Sequence, residues 1–143
     1  MLSIPNKILD DIFAHSRETY PEECCGILVG RDEDGKRIIT EAHRARNASE
    51  GRRHDRYLVD EKKLIEVIKL VRGQSVDVVG FYHSHPDYPS HPSGYDTETA
   101  AWPGYSYLIV SIARDKVVSV QSWVMPDGAN TFTEEPIETK RLV

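Results

Sequence analysis

The sequence predicts an α/β protein in which helices pack against a sheet, and three observations carry that expectation. Apolar residues recur at helical spacing in two stretches, and short apolar runs of strand length, bounded by turn residues, lie between and after them. No tract repeats or has low complexity. In chain order, Ile4, Ile8, Leu9, Ile12 and Phe13, with Lys7, Asp10, Asp11 and Arg17 around them, predict an amphipathic first helix. Pro21 ends that region. Gly26 to Gly30 is a strand-length run, Asp34-Gly35 is turn chemistry, and Arg37 to Glu41 is a second run, so the pair predicts a hairpin. Asn47 to Arg56 is polar, aperiodic and holds Gly51, which predicts a mobile loop. Tyr57-Leu58-Val59 extends briefly as a strand. Asp60 is an N-cap for a second helix with Leu64, Ile65, Ile68 and Val71 on one face and Gly73 as its stop.

Val76 to Tyr82 is nearly continuous in apolar residues, as in a central strand covered on both faces. Pro86, Pro89 and Pro92 follow at three-residue intervals and exclude regular helix or central sheet, so this stretch is a shaped loop. Thr97 to Trp102 predicts a short helix stopped by Pro103-Gly104. Tyr105 to Ile112 and Lys116 to Met125 are two strands around an Arg114-Asp115 turn, and Thr131 to Ile137 is a last edge strand.

A chain of 143 residues is one domain's worth, residues 1–143, and buries enough surface to need neither disulfides nor a structural metal. A bound metal is therefore expected to be functional. A net charge of −5 gives no global electrostatic reason to bind nucleic acid or anionic lipid. The longest apolar stretch, Cys24 to Gly30, is far short of the ~20 residues that span a bilayer, and the N-terminal residues lack the pattern of a secretory signal. Cytoplasm is the default compartment. The adjacent Cys24 and Cys25 make no disulfide framework, in keeping with a reducing environment.

The chemistry lies in His83-Ser84-His85-Pro86 followed by Ser93-Gly94-Tyr95-Asp96. Alternate strand residues share a face, which sets the two imidazoles side by side, ready to grip one ion. Catalytic zinc takes three protein ligands, commonly imidazole and carboxylate, and Asp96 at the end of the proline loop would complete such a set. On its own, Ser-x-x-Asp favours a helix capping box, with Ser93 at the N-cap; a helix start is also a rigid place to hold a hydroxyl and a carboxylate toward a metal. His91, Asp87 and Glu98 are nearby alternatives as ligand or base, each better read as a solvated loop or helix residue. Glu22 and Glu23, at the mouth of the strand from Cys24, are two further carboxylates that spacing alone does not connect with His83.

These residues resemble the JAMM (MPN-plus) metallopeptidase pattern: a glutamate on an early strand, then His-x-His, seven residues, Ser, two residues, Asp. In that family the glutamate lies three positions before a glycine, which points to Glu23 rather than Glu22 through Glu23-Cys24-Cys25-Gly26. Pro21 to Gly26, Gly80 to Pro86 and Ala101 to Tyr107 are similar to the small bacterial branch that cleaves amino-acid adducts from ubiquitin-like sulfur carrier proteins. The resemblance implies a cytidine-deaminase-like (JAB/MPN) α/β/α sandwich with a central mixed β-sheet. It further implies one zinc ion per chain held by His83, His85 and Asp96 with a bound water, Glu23 as general base, and Ser93 as a donor to the carbonyl oxygen.

The implied partner is a ubiquitin-like sulfur carrier protein, held by its Gly-Gly tail as an added strand. The short connection from Asp96 to Tyr105 leaves no room for the insertion that deubiquitinating relatives carry, which suits a small leaving group such as cysteine. Alternatives are an isopeptidase acting on protein lysines, a non-catalytic scaffold, which the complete Glu23, His83, His85 and Asp96 set disfavours, and a DNA-repair relative, which the acidic balance disfavours. Cys24 and Cys25 are expected to pack rather than to attack. Ser84 is expected to point away from the histidines, Tyr105 and Tyr107 to belong to the core, and Trp102 is a secondary candidate for a wall of the cleft. The arginines of the Asn47–Arg56 loop, Arg52, Arg53 and Arg56, are a secondary candidate for docking the carrier.

Overall fold

The computed structural model describes residues 1–140. Its elements run β1 (Leu2–Pro5), α1 (Asn6–Thr19), β2 (Cys25–Glu33), β3 (Lys36–Ala45), α2 (Glu61–Val71), β4 (Asp77–Pro86), α3 (Gly94–Thr99), β5 (Ser106–Ala113), β6 (Lys116–Val124), β7 (Thr133–Glu135) and β8 (Ile137–Lys140). The strands form one mixed sheet of 8 in the order β7-β6-β5-β4-β2-β3-β1-β8, with β4 parallel to β5 and β1 parallel to both β3 and β8.

Alternation along the strands divides the interior in two. Leu28, Tyr82, Leu108 and Val110 face α1, where Leu9 and Ile12 pack among them with Leu2, Ile4 and Ile39. Ile27, Val29, Phe81 and Tyr107 face the other way, against Val67 and Val71 of α2. The result is the α/β/α layering that the resemblance implied. The Asp34-Gly35 turn has positive φ at both residues (51° and 76°), the twist that a two-residue hairpin between β2 and β3 requires.

Four expectations need correction. Tyr57-Leu58-Val59 is not a strand, since only Val59 pairs, in an isolated bridge to Asn47. Ile4 lies in a strand, not in the first helix. It precedes Pro5, which forces extended backbone on its neighbour, and β1 pairs with β3 and β8 before the helix begins at Asn6. The buried face of α2 is Leu64, Val67 and Val71, while Ile65 and Ile68 are 52% and 37% exposed; both sets satisfy helical spacing, and only the neighbouring β2 and β4 side chains decide between them. The expected last strand splits at Pro136, which has no N–H to continue a ladder. β7 extends one edge of the sheet and β8 the other, and the Leu2 amide donates to the Pro136 carbonyl at 2.9 Å. Because one residue separates β7 from β8, the two edges meet there and the sheet curls around α1. Among the described residues no helix is long and apolar enough to cross a membrane.

Candidate metal centre

The site forms where β2 and β4 run side by side. Cys25 pairs with His83 and Gly26 with Tyr82. His83 and His85 lie on the α2 side of β4 and continue the row begun by Phe81; Tyr82 and Ser84 lie on the α1 side. Gly26 is required here, since a Cβ on it would collide with the Tyr82 ring, whose hydroxyl crosses to His15 Nδ1 at 2.6 Å. Ser84 staples the strand that carries Glu23. Its Oγ accepts the Cys24 amide at 2.8 Å, and its own amide donates to the Cys24 carbonyl at 3.2 Å.

The proline-bent loop is fixed to β5 and β6. The Asp87 amide donates to Ile112 O, Ser111 Oγ to Tyr88 O, Trp123 Nε1 to Ser90 O, and Ser90 Oγ to Gln121 Oε1. The loop then enters α3, earlier than the expected Thr97 start. The start of α3 is a full capping box: Asp96 N donates to Ser93 Oγ at 3.0 Å and Ser93 N donates to Asp96 Oδ2 at 2.9 Å. The capping and metal-site readings of Ser93 and Asp96 are compatible, because the same Oδ2 lies 3.2 Å from His83 Nε2 and 3.0 Å from His85 Nε2, and the two Nε2 atoms are 3.2 Å apart.

Three potential donor atoms therefore converge on one point from buried residues. His85 Nδ1 lies 2.7 Å from the Pro89 carbonyl, so Nδ1 carries the proton and Nε2 presents a lone pair. Burial pushes His83 down toward the neutral form. Burial would raise Asp96, but the imidazoles and the Ser93 amide outweigh it and hold the carboxyl well below its usual range. Glu23, 4% exposed, completes the group: a carboxylate oxygen of Glu23 and a nitrogen each of His83 and His85 all lie within 4.8 Å of one another, a cluster that could hold a metal ion. Burial first, then the charges of Asp96 and Asp55, raises Glu23 to about 9. Glu23 Oε1 and His83 Nδ1 are buried without a hydrogen-bond partner among the described residues. Burying such atoms unpaired is costly, and a bound ion or water facing Glu23 offsets that cost.

The structure thus brings Glu23, His83, His85, Ser93 and Asp96 together and leaves others outside. Glu22 and Glu98 are exposed, and exposed His91 packs on Trp123. Asp87 accepts the Tyr20 hydroxyl at 2.7 Å and lines the cleft without joining the cluster that could hold a metal. Trp102 packs with Phe81 and Tyr105 in a separate groove and is not a wall of the metal cleft, because α3 ends at Thr99 and turns the chain away. Both thiols are buried and pushed up by that burial, Cys25 to about 12. Cys24 Sγ contacts Ser16 Oγ, and Cys25 Sγ points to the carbonyls of Ala45 and Arg46.

Sequence reasoning missed the contribution of the segment after β3. Residues 47–56 are anchored to the site strand: the Arg53 carbonyl accepts the Glu23 amide, and Asn47 Nδ2 donates to both Glu23 O and Arg56 O. Tyr57 then stacks on His83, ring centroids 4.2 Å apart and planes 19° from parallel. No local spacing signals this, since the contact spans residues from different elements. Together these segments enclose a cleft of about 340 Å³ onto which Glu23, His85, Ser93, Arg56 and Tyr95 open.

Known proteins resemble this chain in sequence and in fold. Residues 5–126 match the family model described as prokaryotic homologs of the JAB domain. The chain is 40% identical over 114 residues to the desampylase of Haloferax volcanii, covering 77% of this chain and 80% of that one. It is 28% identical over 137 residues to the CysO-cysteine peptidase of Mycobacterium tuberculosis, covering 96% and 90%. It is also 26% identical over 129 residues to a probable TtuB-protein conjugate cleaving protease of Thermus thermophilus, covering 90% and 78%. A solution structure from Desulfitobacterium hafniense superposes with a TM-score of 0.86 at 28% identity, over 100% of this chain and 95% of that one.

Proposed function

The chain belongs to the family of prokaryotic homologs of the JAB domain, and from that premise we propose that it is a zinc-dependent peptidase acting on a ubiquitin-like sulfur carrier protein. It cleaves the amide bond after the carrier's C-terminal Gly-Gly and releases an amino acid such as cysteine. The observation that carries this proposal is the convergence of His83 Nε2, His85 Nε2 and Asp96 Oδ2 beside the unpartnered Glu23 Oε1. The names of the relatives, a CysO-cysteine peptidase among them, support carrier conjugates as the substrate class.

Zinc fits the donor set. Ligands about 2.0–2.1 Å from a tetrahedral centre stand roughly 3.3–3.4 Å from one another, and the three donor atoms here stand 3.0–3.2 Å apart. One carboxylate and two imidazoles leave a fourth position open, as catalytic zinc requires. When bound, zinc supplies Lewis acidity to the scissile carbonyl and makes hydroxide accessible near neutral pH.

The chain's own groups supply the rest. Glu23 Oε1, buried beside the donor set with no partner among the described residues, is placed to take the proton from the attacking water and to return it to the departing amine. Ser93 Oγ already accepts the Asp96 amide, which orients it and leaves its O–H free to donate to the oxygen where negative charge develops. His85 is held in the required tautomer by Pro89, and His83 is held flat by Tyr57.

The leaving group is proposed to be small because Asp96 and Tyr105 are joined by the remainder of α3 and a tight turn, with no inserted element, and because the cleft holds only about 340 Å³. A second reading, an isopeptidase acting on carrier–protein conjugates, is favoured by the name of the Thermus relative. Incubating the zinc-loaded protein with a carrier–cysteine adduct and a carrier–lysine isopeptide, and following product masses, tests both. Release of cysteine with little cleavage of the isopeptide is the expected result; the reverse preference supports the second reading, and cleavage of neither excludes both.

A further inference from the structure

The cleft that Glu23 lines also holds two arginines, Arg52 and Arg56. Arg52 is already bonded to Asp55 through both its Nε and a terminal nitrogen, so its charge is neutralised locally. His54 Nε2 lies 3.8 Å from the same carboxylate. Arg56 is different. Its guanidinium carbon sits 4.4 Å from the centre of the Tyr95 ring, and its nitrogens make no hydrogen bond or ion pair with any described residue. A half-buried cation that rests on a ring and makes no hydrogen bond to a described residue, its charge also felt by Asp55, has its donors free for an anion.

Its position is tied to the segments that carry Glu23, Ser93 and Asp96. Asn47 Nδ2 donates to the Glu23 carbonyl at 3.1 Å and to the Arg56 carbonyl at 3.0 Å, so one amide locks the backbone of both. Tyr95, on whose ring the guanidinium rests, stands between Ser93 and Asp96 on the first turn of α3. Arg56 is therefore referenced to both sides of the metal centre, and it lines the same small cleft.

The chemistry of the substrate identifies the anion. On the carrier side of the scissile amide the residues are glycines, which bear no charge. On the other side, an amino acid joined through its α-amine carries a free carboxylate one carbon from the departing nitrogen. A lysine inside a protein, joined through its side chain, has none there. Asp87 also borders the cleft and would repel a carboxylate that met no cation. We propose that Arg56 binds the α-carboxylate of the leaving amino acid and so selects single-amino-acid adducts over protein-lysine conjugates, an inference that rests on the function proposed above.

The test uses a ubiquitin-like protein ending in Gly-Gly, joined at its C-terminus either to cysteine or to cysteinamide, whose carboxylate is capped. Wild-type protein is expected to cleave the cysteine adduct with a kcat/KM higher by roughly ten- to hundred-fold, the range expected of hydrogen bonds to a charged group. In Arg56→Gln that ratio falls toward one through loss on the cysteine adduct, and Arg56→Lys, which keeps the charge but not the fork, gives an intermediate ratio. Equal cleavage of the two adducts by the wild type, or an equal loss on both in Arg56→Gln, overturns the proposal while leaving the peptidase function standing. Cleavage of neither adduct by the zinc-loaded wild type instead overturns the function itself, and the role of Arg56 with it.

Discussion

The Ser84 hydroxyl accepts the Cys24 amide at 2.8 Å from the face of β4 opposite to the histidines, so the strand that holds the proposed metal ligands also fixes the segment that presents Glu23. Replacing Ser84 by Ala strands a buried amide, a loss of about 1–3 kcal/mol. Ser84→Ala is expected to lower the urea midpoint and to lower kcat more than it raises KM, because Glu23 moves while the substrate cleft is untouched. A fall in stability with unchanged kcat would confine Ser84 to a structural role.

Ser93 carries two roles at once, cap and proposed donor. Ser93→Ala loses both: about 1 kcal/mol of helix-cap stability and roughly 10²- to 10³-fold in turnover. Ser93→Thr keeps a hydroxyl that caps and donates, and is expected to recover most of the turnover. Ser93→Asp keeps a capping oxygen without a hydroxyl proton, so stability recovers and turnover does not. Turnover in Ser93→Asp near that of the wild type would remove the hydroxyl from the chemistry.

His15 gives the fold a pH dependence of its own. Burial lowers its pKa from 6.5 to about 4, with the nearby Arg44 charge acting in the same direction. The folded state thus binds fewer protons than the unfolded one between those values. Its contribution, up to roughly 3 kcal/mol, is present above about pH 6.5 and is lost as pH falls toward 4. Denaturation at pH 7 and 4.5 should show a steeper acid loss in the wild type than in His15→Gln. Equal slopes would show that the imidazole is not held neutral.

The thiols next to Glu23 are expected to be bystanders. Both are buried with raised pKa, and their sulfurs point to Ser16 and to the backbone of Ala45 and Arg46. Cys24→Ala and Cys25→Ala should each keep turnover within a few-fold of the wild type and alter mainly thermal stability. Loss of turnover by more than about 10²-fold, the scale of a lost catalytic group, in either folded variant would reinstate a nucleophile.

What was legible in the sequence was local. The Asp34-Gly35 hairpin, the Asp60 cap and the Ser93/Asp96 box each depend on residues a few positions apart, and each appears where its chemistry predicts. The His83/His85 pair follows from strand alternation and Asp96 from its place at the end of the proline loop, whereas Glu23 is singled out only by the resemblance to a known family's motif. What was not legible depends on which element packs where. The burial of Val67 over Ile68, the edge change at Pro136, and the position of Trp102 outside the cleft are decided by side chains far away in the chain. The same holds for the stacking of Tyr57 on His83 and the seat of Arg56 on Tyr95, each of which joins two segments that no spacing rule connects.

The most direct test of the central claim is to measure zinc content and adduct hydrolysis together in Glu23→Gln. The proposed metal ligands are His83, His85 and Asp96, so the variant is expected to retain one zinc per chain while hydrolysis of a carrier–cysteine adduct falls by at least roughly 10²-fold, the usual scale of general-base catalysis. Retained zinc with turnover within a few-fold of the wild type would contradict the account.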